Sequence, residues 1–454
     1  MHRDRAFGPS DGRYPASDVH LGSRHLGISI EGGIEDGKGE SIWDRFARDS
    51  PMVDDGVIAC DHYHRYRSDV ALMADLGVDA YRFSIAWTRI LPEGRGRVEP
   101  RGLDFYNRLI DELLGAGVTP WVTLYHWDLP QAIQDRGGWV NREVVDAFAE
   151  YTGVVADALG DRVTNWITHN EPWVASMLGY QQGVLAPGVT GWDNGLGAAH
   201  HLLLSHGRAV AEIRSRVADA RVGLALDCRP VSAASDRPED LEASVHFDGF
   251  RNRWFFDPVF GRGYPTDMAE VYERLGRWNP DWVRPGDIET IGTPIDFLGV
   301  NYYTAFQVSA GREEVDDSGI APGHPALPGH TEMGWPIVPS ALADFLVRVQ
   351  EEYDPPSIII TENGASYSDA PDRHGVVADE RRIAYLASHV AAVDEARSRG
   401  ARVDGYFLWS LLDNLEWVAG FSQRFGLVWV DRQTLERIPK ASFFWYRDVI
   451  ASRR

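Results

Sequence analysis

The chain has 454 residues, 44% hydrophobic and 25% charged, which is enough to bury a large core and unlike a disordered polymer. A net charge of -22 excludes the positive surfaces that hold nucleic acid or anionic membranes. Two cysteines, Cys60 and Cys228, exclude a disulfide framework, and without a signal core or an apolar run near ~18 residues a cytoplasmic enzyme with no membrane partner is expected.

Eight short β-rich runs follow in chain order: RHLGISI at 24–30, VDAYRFSIAW at 78–87, VTPWVTLYHW at 118–127, VTNWITH at 163–169, RVGLALDC at 221–228, DFLGVNYY at 296–303, SIIIT at 357–361 and GYFLWSLL at 405–412. Between them lie stretches with apolar residues at three and four spacings, for example 63–78, 106–118 and 144–160, ending at glycines or polar turns as helices do. Strands alternating with helices imply a parallel sheet, and eight such units predict a single (β/α)8 TIM barrel with elaborated βα loops. No linker or low-complexity segment divides the chain, so residues 1–454 are expected to form one catalytic domain, with 1–20 a loosely ordered N-terminal extension. Residues 229–295 exceed what one crossover needs and predict a loop with extra helices. The Gly/Pro-rich stretch at 305–343 predicts a second long loop.

Barrel chemistry gathers where strands end. The predicted ends are polar or carry indoles: Ser29 and Glu31, Arg82 and Trp87, His126 and Trp127, Asn170 and Glu171, Asn301 and Tyr303, Glu362 and Asn363, and Trp409. Tryptophan is also frequent, with 16 residues. Most of these pack the core, but indoles also stack on the apolar CH faces of sugars, and an acidic, Trp-rich barrel leans toward carbohydrate.

Glycoside cleavage needs two carboxyl groups flanking one bond, one to protonate the leaving oxygen and one to attack the anomeric carbon. Glu171 in WITHNEPW and Glu362 in IIITENGA end the fourth and seventh strands, across the barrel mouth from each other. An isolated glutamate after a strand is commonly a solvated loop residue. Two of them, each beside an asparagine, are not well explained that way.

From about Gly22 to the C-terminus the chain resembles glycoside hydrolase family one, the β-glucosidase family, through SIWDRF, ACDHYHRY, YRFSIAWTRILPEG, VTLYHWDLPQAI, NEPW, APG, DGFRNRWFFDP, DFLGVNYYT, MGW, TENGA, GYFLWSLLDNLEW and RFGL. The resemblance implies Glu171 as acid/base and Glu362 as nucleophile of a retaining β-glycosidase, with carboxyl groups roughly 5 Å apart and no cofactor or metal. Arg82 and the Tyr303 hydroxyl would keep Glu362 ionised, and Asn170 would bond the sugar 2-hydroxyl. The same resemblance implies a pocket of His126, Trp127, Asn301, Trp335, Glu416 and Trp417 for a small-molecule glycoside, with Trp409 as stacking floor and Phe425 closing the side. A carboxylate at Glu416 would repel a phosphorylated sugar.

One departure bears on specificity. The family motif usually reads Gln-x-Glu-Gly after the first strand, and here Ser29 stands where that glutamine bonds the 3- and 4-hydroxyls. Either water fills the gap, or the space admits a sugar modified or epimeric at those positions. Leu185, Asp227 and Pro336 also depart from the family pattern, and by the same resemblance they would face the leaving-group side. Other classes fare worse. The pairs His62/His64 and His200/His201 have spacings better suited to packing than to a metal. There is neither a phosphate loop with a lysine nor a dinucleotide fingerprint. A Schiff-base aldolase needs a lysine at a strand end, whereas the only lysines are Lys38 and Lys440. A non-catalytic sugar-binding relative would be expected to lose one carboxylate. A transglycosylase would share the covalent intermediate and differ in its acceptor.

Overall fold

A computed structural model describes residues 20–25, 27–50, 53–311 and 329–454. Eight parallel strands close a barrel: β1 (His20–His25), β2 (Ala80–Ser84), β3 (Thr119–Tyr125), β4 (Asn165–Asn170), β5 (Arg221–Asp227), β6 (Phe297–Asn301), β7 (Ile358–Asn363) and β8 (Val403–Leu408). Each strand pairs with its neighbours in sequence, and β1 pairs with β8 to complete the ring. Long helices pack outside: α1 (His62–Leu76), α2 (Pro100–Gly115), α3 (Glu143–Leu159), α4 (Trp192–Arg214), α5 (Pro339–Tyr353), α6 (Glu380–Ser398) and α7 (Ala441–Ser452). Among the described residues no helix is long and apolar enough to cross a membrane.

The lower barrel is filled by one residue from each of β2 to β8: Ala80, Trp121, Ile167, Ala225, Phe297, Ile359 and Phe407. Trp121 meets Phe297 and Phe407 edge-on, at centroid distances of 5.1 and 5.3 Å. Glycines make room for these rings. A Cβ on Gly22 would lie 2.6 Å from the Phe407 ring, and one on Gly223 would lie 2.7 Å from the Phe297 ring. A close-packed interior tolerates neither.

Two expectations need correction. The first strand is not 24–30: it runs over His20–His25, and Gly27–Ile30 form a helical turn. The backbone bonds explain why, since the carbonyls of Ser29, Ile30 and Glu31 accept from Leu415, Cys60 and Tyr63, all in loops or at a helix start, and none from a strand. Ser29 and Ile30 are buried within this turn without pairing as a strand. The stretch at 305–343 is likewise shorter than expected as a loop: Phe306–Val308 pairs with Val231–Ala233, and α5 begins at Pro339. Residues 312–328 and the first 19 residues of the expected extension lie outside the described residues. The 229–295 connection does carry extra helices, including Pro238–Asp248, Trp254–Val259 and Thr266–Arg274.

Helix α4, which backs β4, brings buried imidazoles with it. His206 meets the Thr168 hydroxyl at 2.7 Å, and burial pulls its pKa down to about 3, with Arg214 adding to the shift. His201 and, on α6, His389 are pulled down by burial to about 4. The unfolded chain takes up protons near pH ~6.5 that the folded chain refuses, so stability present above that pH is lost on acidification toward pH 4 to 3. Each such histidine should remove about 1.4 kcal/mol per pH unit below ~6. His206→Gln is expected to flatten the slope of unfolding free energy between pH 6 and 5 by about that amount, measured by urea titration. Equal slopes in the two proteins would reject the assignment.

Candidate active site

Above the aromatic layer the barrel interior turns polar. Arg82 on β2 is fully buried, with Nε donating to the Thr123 hydroxyl at 2.9 Å, Nη1 to the Thr361 carbonyl at 2.9 Å and Nη2 to Asn170 Oδ1 at 2.8 Å. Its Nη1 also lies 3.6 Å from Glu362 Oε1. A guanidinium with every edge engaged cannot swing, so its charge is fixed beneath that carboxylate.

Asn301, the last residue of β6, is the hub. Its Nδ2 donates to Glu171 Oε1 at 2.7 Å, to Asn170 Oδ1 at 3.1 Å and to Glu362 Oε1, while its Oδ1 accepts from the Thr361 hydroxyl at 2.7 Å. Two carboxylate oxygens on one nitrogen cannot be farther apart than the sum of two hydrogen bonds, about 6 Å. The Tyr303 hydroxyl donates to Glu362 Oε2 at 2.5 Å. Glu171 and Glu362 are 5% and 4% exposed, so desolvation acts on both.

Walls complete the mouth. Asn170 Nδ2 lies 2.9 Å from His126 Nε2, and Trp127 Nε1 donates to the Asn170 carbonyl at 2.9 Å. Trp417 sits 4.4 Å from Trp127 by ring centroid and 5.9 Å from His126. Across the mouth, Tyr303 touches Trp335 at 5.4 Å and Phe425 at 6.2 Å. Trp409 is buried beyond β8, its amide donating to the Asn363 carbonyl at 2.9 Å. Glu416 precedes Trp417 on the 411–425 loop, and the carbonyl of Ser29 accepts from Leu415 on that loop at 3.3 Å. The Ser29 hydroxyl is buried and has no partner among the described residues. Trp127, Glu171 and Trp417 all have positive φ, at 72°, 48° and 45°. Only a surrounding structure that over-determines them keeps such residues in the left-handed region, and here the turn is what aims each side chain off its strand or loop.

Not every polar strand end belongs here. Glu31 is tied to Arg89 at 2.9 Å and to the Tyr106 hydroxyl at 2.7 Å, a buried ion pair below the first loop. Trp87 is core, stacked on Tyr151 at 5.0 Å with its Nε1 donating to the Gly94 carbonyl. Asn363 faces outward, bonding the Tyr302 carbonyl and the Tyr385 and Tyr406 hydroxyls. Both lysines are paired away from the mouth, Lys38 with Asp44 at 3.1 Å and Lys440 with Asp413 at 2.8 Å, which removes the Schiff-base alternative. His62 is paired with Asp69 at 2.8 Å and His200 with Asp287 at 3.0 Å, as packing residues.

Several contributors went unassigned in the sequence. Thr123 and Thr361 read as ordinary strand formers, and nothing in a linear pattern marks a threonine that holds an arginine or an asparagine. Trp43 stacks on Trp417 at 4.4 Å and lay inside the quoted SIWDRF motif without a role. On the β5 side, Asp227 holds two arginines, with Arg229 Nη2 at 3.1 Å and Arg251 Nη2 also donating to it. Burial pulls the Arg251 guanidinium down to about 10, so it stays charged at neutral pH, and it lies 3.3 Å over the Trp173 ring.

Two buried acids sharing one donor beside a group of aromatic rings are compatible with the chemistry of glycoside cleavage. Comparison narrows this. Residues 13–454 match the family described as glycosyl hydrolase family 1. β-Glucosidase A of Acetivibrio thermocellus is 43% identical over 442 residues, covering 95% of this chain and 97% of that protein. A bifunctional β-D-glucosidase/β-D-fucosidase of Bifidobacterium breve is 40% identical, covering 95% and 97%. Among solved structures, the β-glucosidase of Thermotoga maritima in complex with glucoimidazole superposes with a TM-score of 0.91 at 43% identity, covering 96% of this chain and 98% of that one. The chain belongs to glycosyl hydrolase family 1 and is a glycoside hydrolase of the retaining type.

Proposed function

We propose that the chain, acting as one catalytic domain, is a β-glucosidase-type enzyme in which Glu362 attacks the anomeric carbon of a terminal β-glycoside and Glu171 protonates the leaving oxygen. The shared Asn301 donor carries this reading, because it holds both carboxylates within about 6 Å, near the spacing that suits a covalent glycosyl-enzyme. Arg82 and Tyr303 favour the ionised form of Glu362 by charge and hydrogen bonding, and leave it a nucleophile. Once Glu362 is esterified its charge is gone, and Glu171, now deprotonated, draws a proton from the incoming water. Asn170, held by Arg82 and beside His126, is placed to bond the 2-hydroxyl, while Trp127, Trp409, Trp417, Glu416 and Phe425 enclose the sugar. Two buried free cysteines suit a reducing compartment, and we place the enzyme in the cytoplasm.

The test is a crystal soak with a 2-fluoro-β-glucoside, whose fluorine slows release of the intermediate. A bond to Glu362 with the α configuration is expected. Labelling of another residue, or an α-anomer as first product by proton NMR, rejects the assignment.

A narrower reading concerns which sugar is preferred. The buried, unpartnered Ser29 hydroxyl next to the Glu416 loop marks a place where a longer polar side chain would reach the sugar. The Bifidobacterium breve relative is named for both glucosidase and fucosidase activity. Ser29→Gln is expected to raise kcat/KM for aryl β-glucoside about tenfold over aryl β-fucoside, through two recovered hydrogen bonds. Rates unchanged across glucoside, galactoside, fucoside and xyloside would show that the position does not select.

A further inference from the structure

The barrel order divides the mouth in two. Glu171 follows β4 and Glu362 lies in β7, so one arc between them carries β5 and β6 and the other carries β8, β1, β2 and β3. The sugar-enclosing residues Ser29, His126, Trp127, Glu416 and Trp417 all belong to the second arc. On that reading the sugar fills the second arc, and the β5–β6 arc is left for the leaving group.

Around the end of β5, among the described residues, Arg229 and Arg251 gather on Asp227, with Glu171 also acting on Arg251. Asp227 ends β5 in register with Asn301, and the Cys228 amide donates to the Asn301 carbonyl at 2.9 Å, which fixes this strand end against the hub. Two guanidiniums, Arg229 and Arg251, share the one Asp227 carboxylate. Arg229 lies between the rings of Tyr303 and Trp335, 5.7 Å from each centroid, and Asn252 clamps its backbone with bonds of 3.1 and 2.8 Å. Its side chain remains 11% exposed. Arg229 Nη1 and Arg251 Nε and Nη1 are buried without hydrogen-bond partners, although the Arg251 side chain is only 4% exposed. Buried charged donors left open in this way carry a desolvation cost that an incoming anion would relieve.

We propose that Arg229, backed by Arg251 and Asp227, is a specificity-determining residue for the leaving group, and that the enzyme prefers β-glycosides whose aglycone carries a carboxylate close to the glycosidic oxygen. This rests on the assignment of Glu171 and Glu362 above. The guanidinium sits beside Tyr303, which itself touches Glu362, so an acid group reaching Arg229 spans about one ring from the cleaved bond. Asp227 holds Arg229 by an ion pair and sets how much of the charge is left over.

The test compares kcat/KM for 3-carboxyphenyl and 3-carboxamidophenyl β-D-glucosides. Taking the ratio within each protein removes any general loss of activity. Arg229→Gln is expected to lower the carboxylate-to-carboxamide ratio about tenfold, Arg229→Lys to keep most of it, and Asp227→Asn to raise it. The wild-type ratio should also shrink as salt rises. A ratio unmoved by both Arg229→Gln and Asp227→Asn, or moved in the same direction by both, overturns the proposal alone. Failure of the wild type to cleave either glucoside would overturn the functional assignment, and this inference with it.

Discussion

Glu362→Ala is expected to lower kcat by about 10⁵-fold on an aryl β-glucoside, the scale on which removing a covalent nucleophile acts. The loss has a signature beyond its size. Alanine leaves a hollow above Arg82, whose charge is still fixed by Thr123, Asn170 and the Thr361 carbonyl. A small anion such as azide should settle in that hollow and attack from the face the carboxylate used, so activity returns and the product is the α-glycosyl azide. Formation of the β-azide, or no rescue, would show that Glu362 does not attack. The fold should survive, because Asn301 keeps its bonds to Thr361 and Asn170.

For Glu171→Ala the cost depends on what departs. A 2,4-dinitrophenolate leaves without a proton, so its bond should break at close to the wild-type rate. A sugar alkoxide needs the proton, and cellobiose turnover should fall about 10³- to 10⁴-fold, the range general acid catalysis spans. For the dinitrophenyl glucoside the second step then limits, and the glycosyl-enzyme accumulates and can be seen by mass spectrometry of the intact protein. The alkaline limb of the kcat/KM profile, set by loss of the acid's proton, should vanish in the variant. Equal slowing of both substrates would instead assign Glu171 an orienting part, in keeping with its bond from Asn301.

The sequence was most legible where chemistry restricts residue choice. Both glutamates, Arg82, Asn170, Asn301 and Tyr303 could be named because polar strand ends coincided with the motifs of the family resemblance, and the structure brings all six into one network. It was least legible where a residue type has two equally good uses. Trp87 and Trp127 both close a strand-like run, yet one is core and the other wall, and the difference is the positive φ at Trp127, which a linear pattern does not display. Glu31 and Glu171 likewise follow polar strand-like ends. Glu31 is claimed by Arg89, which lies 58 positions along the chain, and that partner emerges only when β1 and the turn after β2 pack together. The first strand was misplaced because an apolar run such as HLGISI fits a strand and a buried turn alike. The strand itself lies earlier, where Gly22 pairs beside Ala80 and Phe407, a contact across nearly the whole chain.

That ring of Ala80, Trp121, Ile167, Ala225, Phe297, Ile359 and Phe407 makes the catalytic cup a cul-de-sac. The floor is closed, and on the proposed reading the walls around Trp127, Trp417 and Phe425 should admit a glycoside by its tip, one unit per visit. Traffic is ordered too: the aglycone, nearest the entrance, departs first, and the freed monosaccharide must back out the way it came before the next chain end can dock. Accumulating sugar therefore competes directly with substrate for the same dead end.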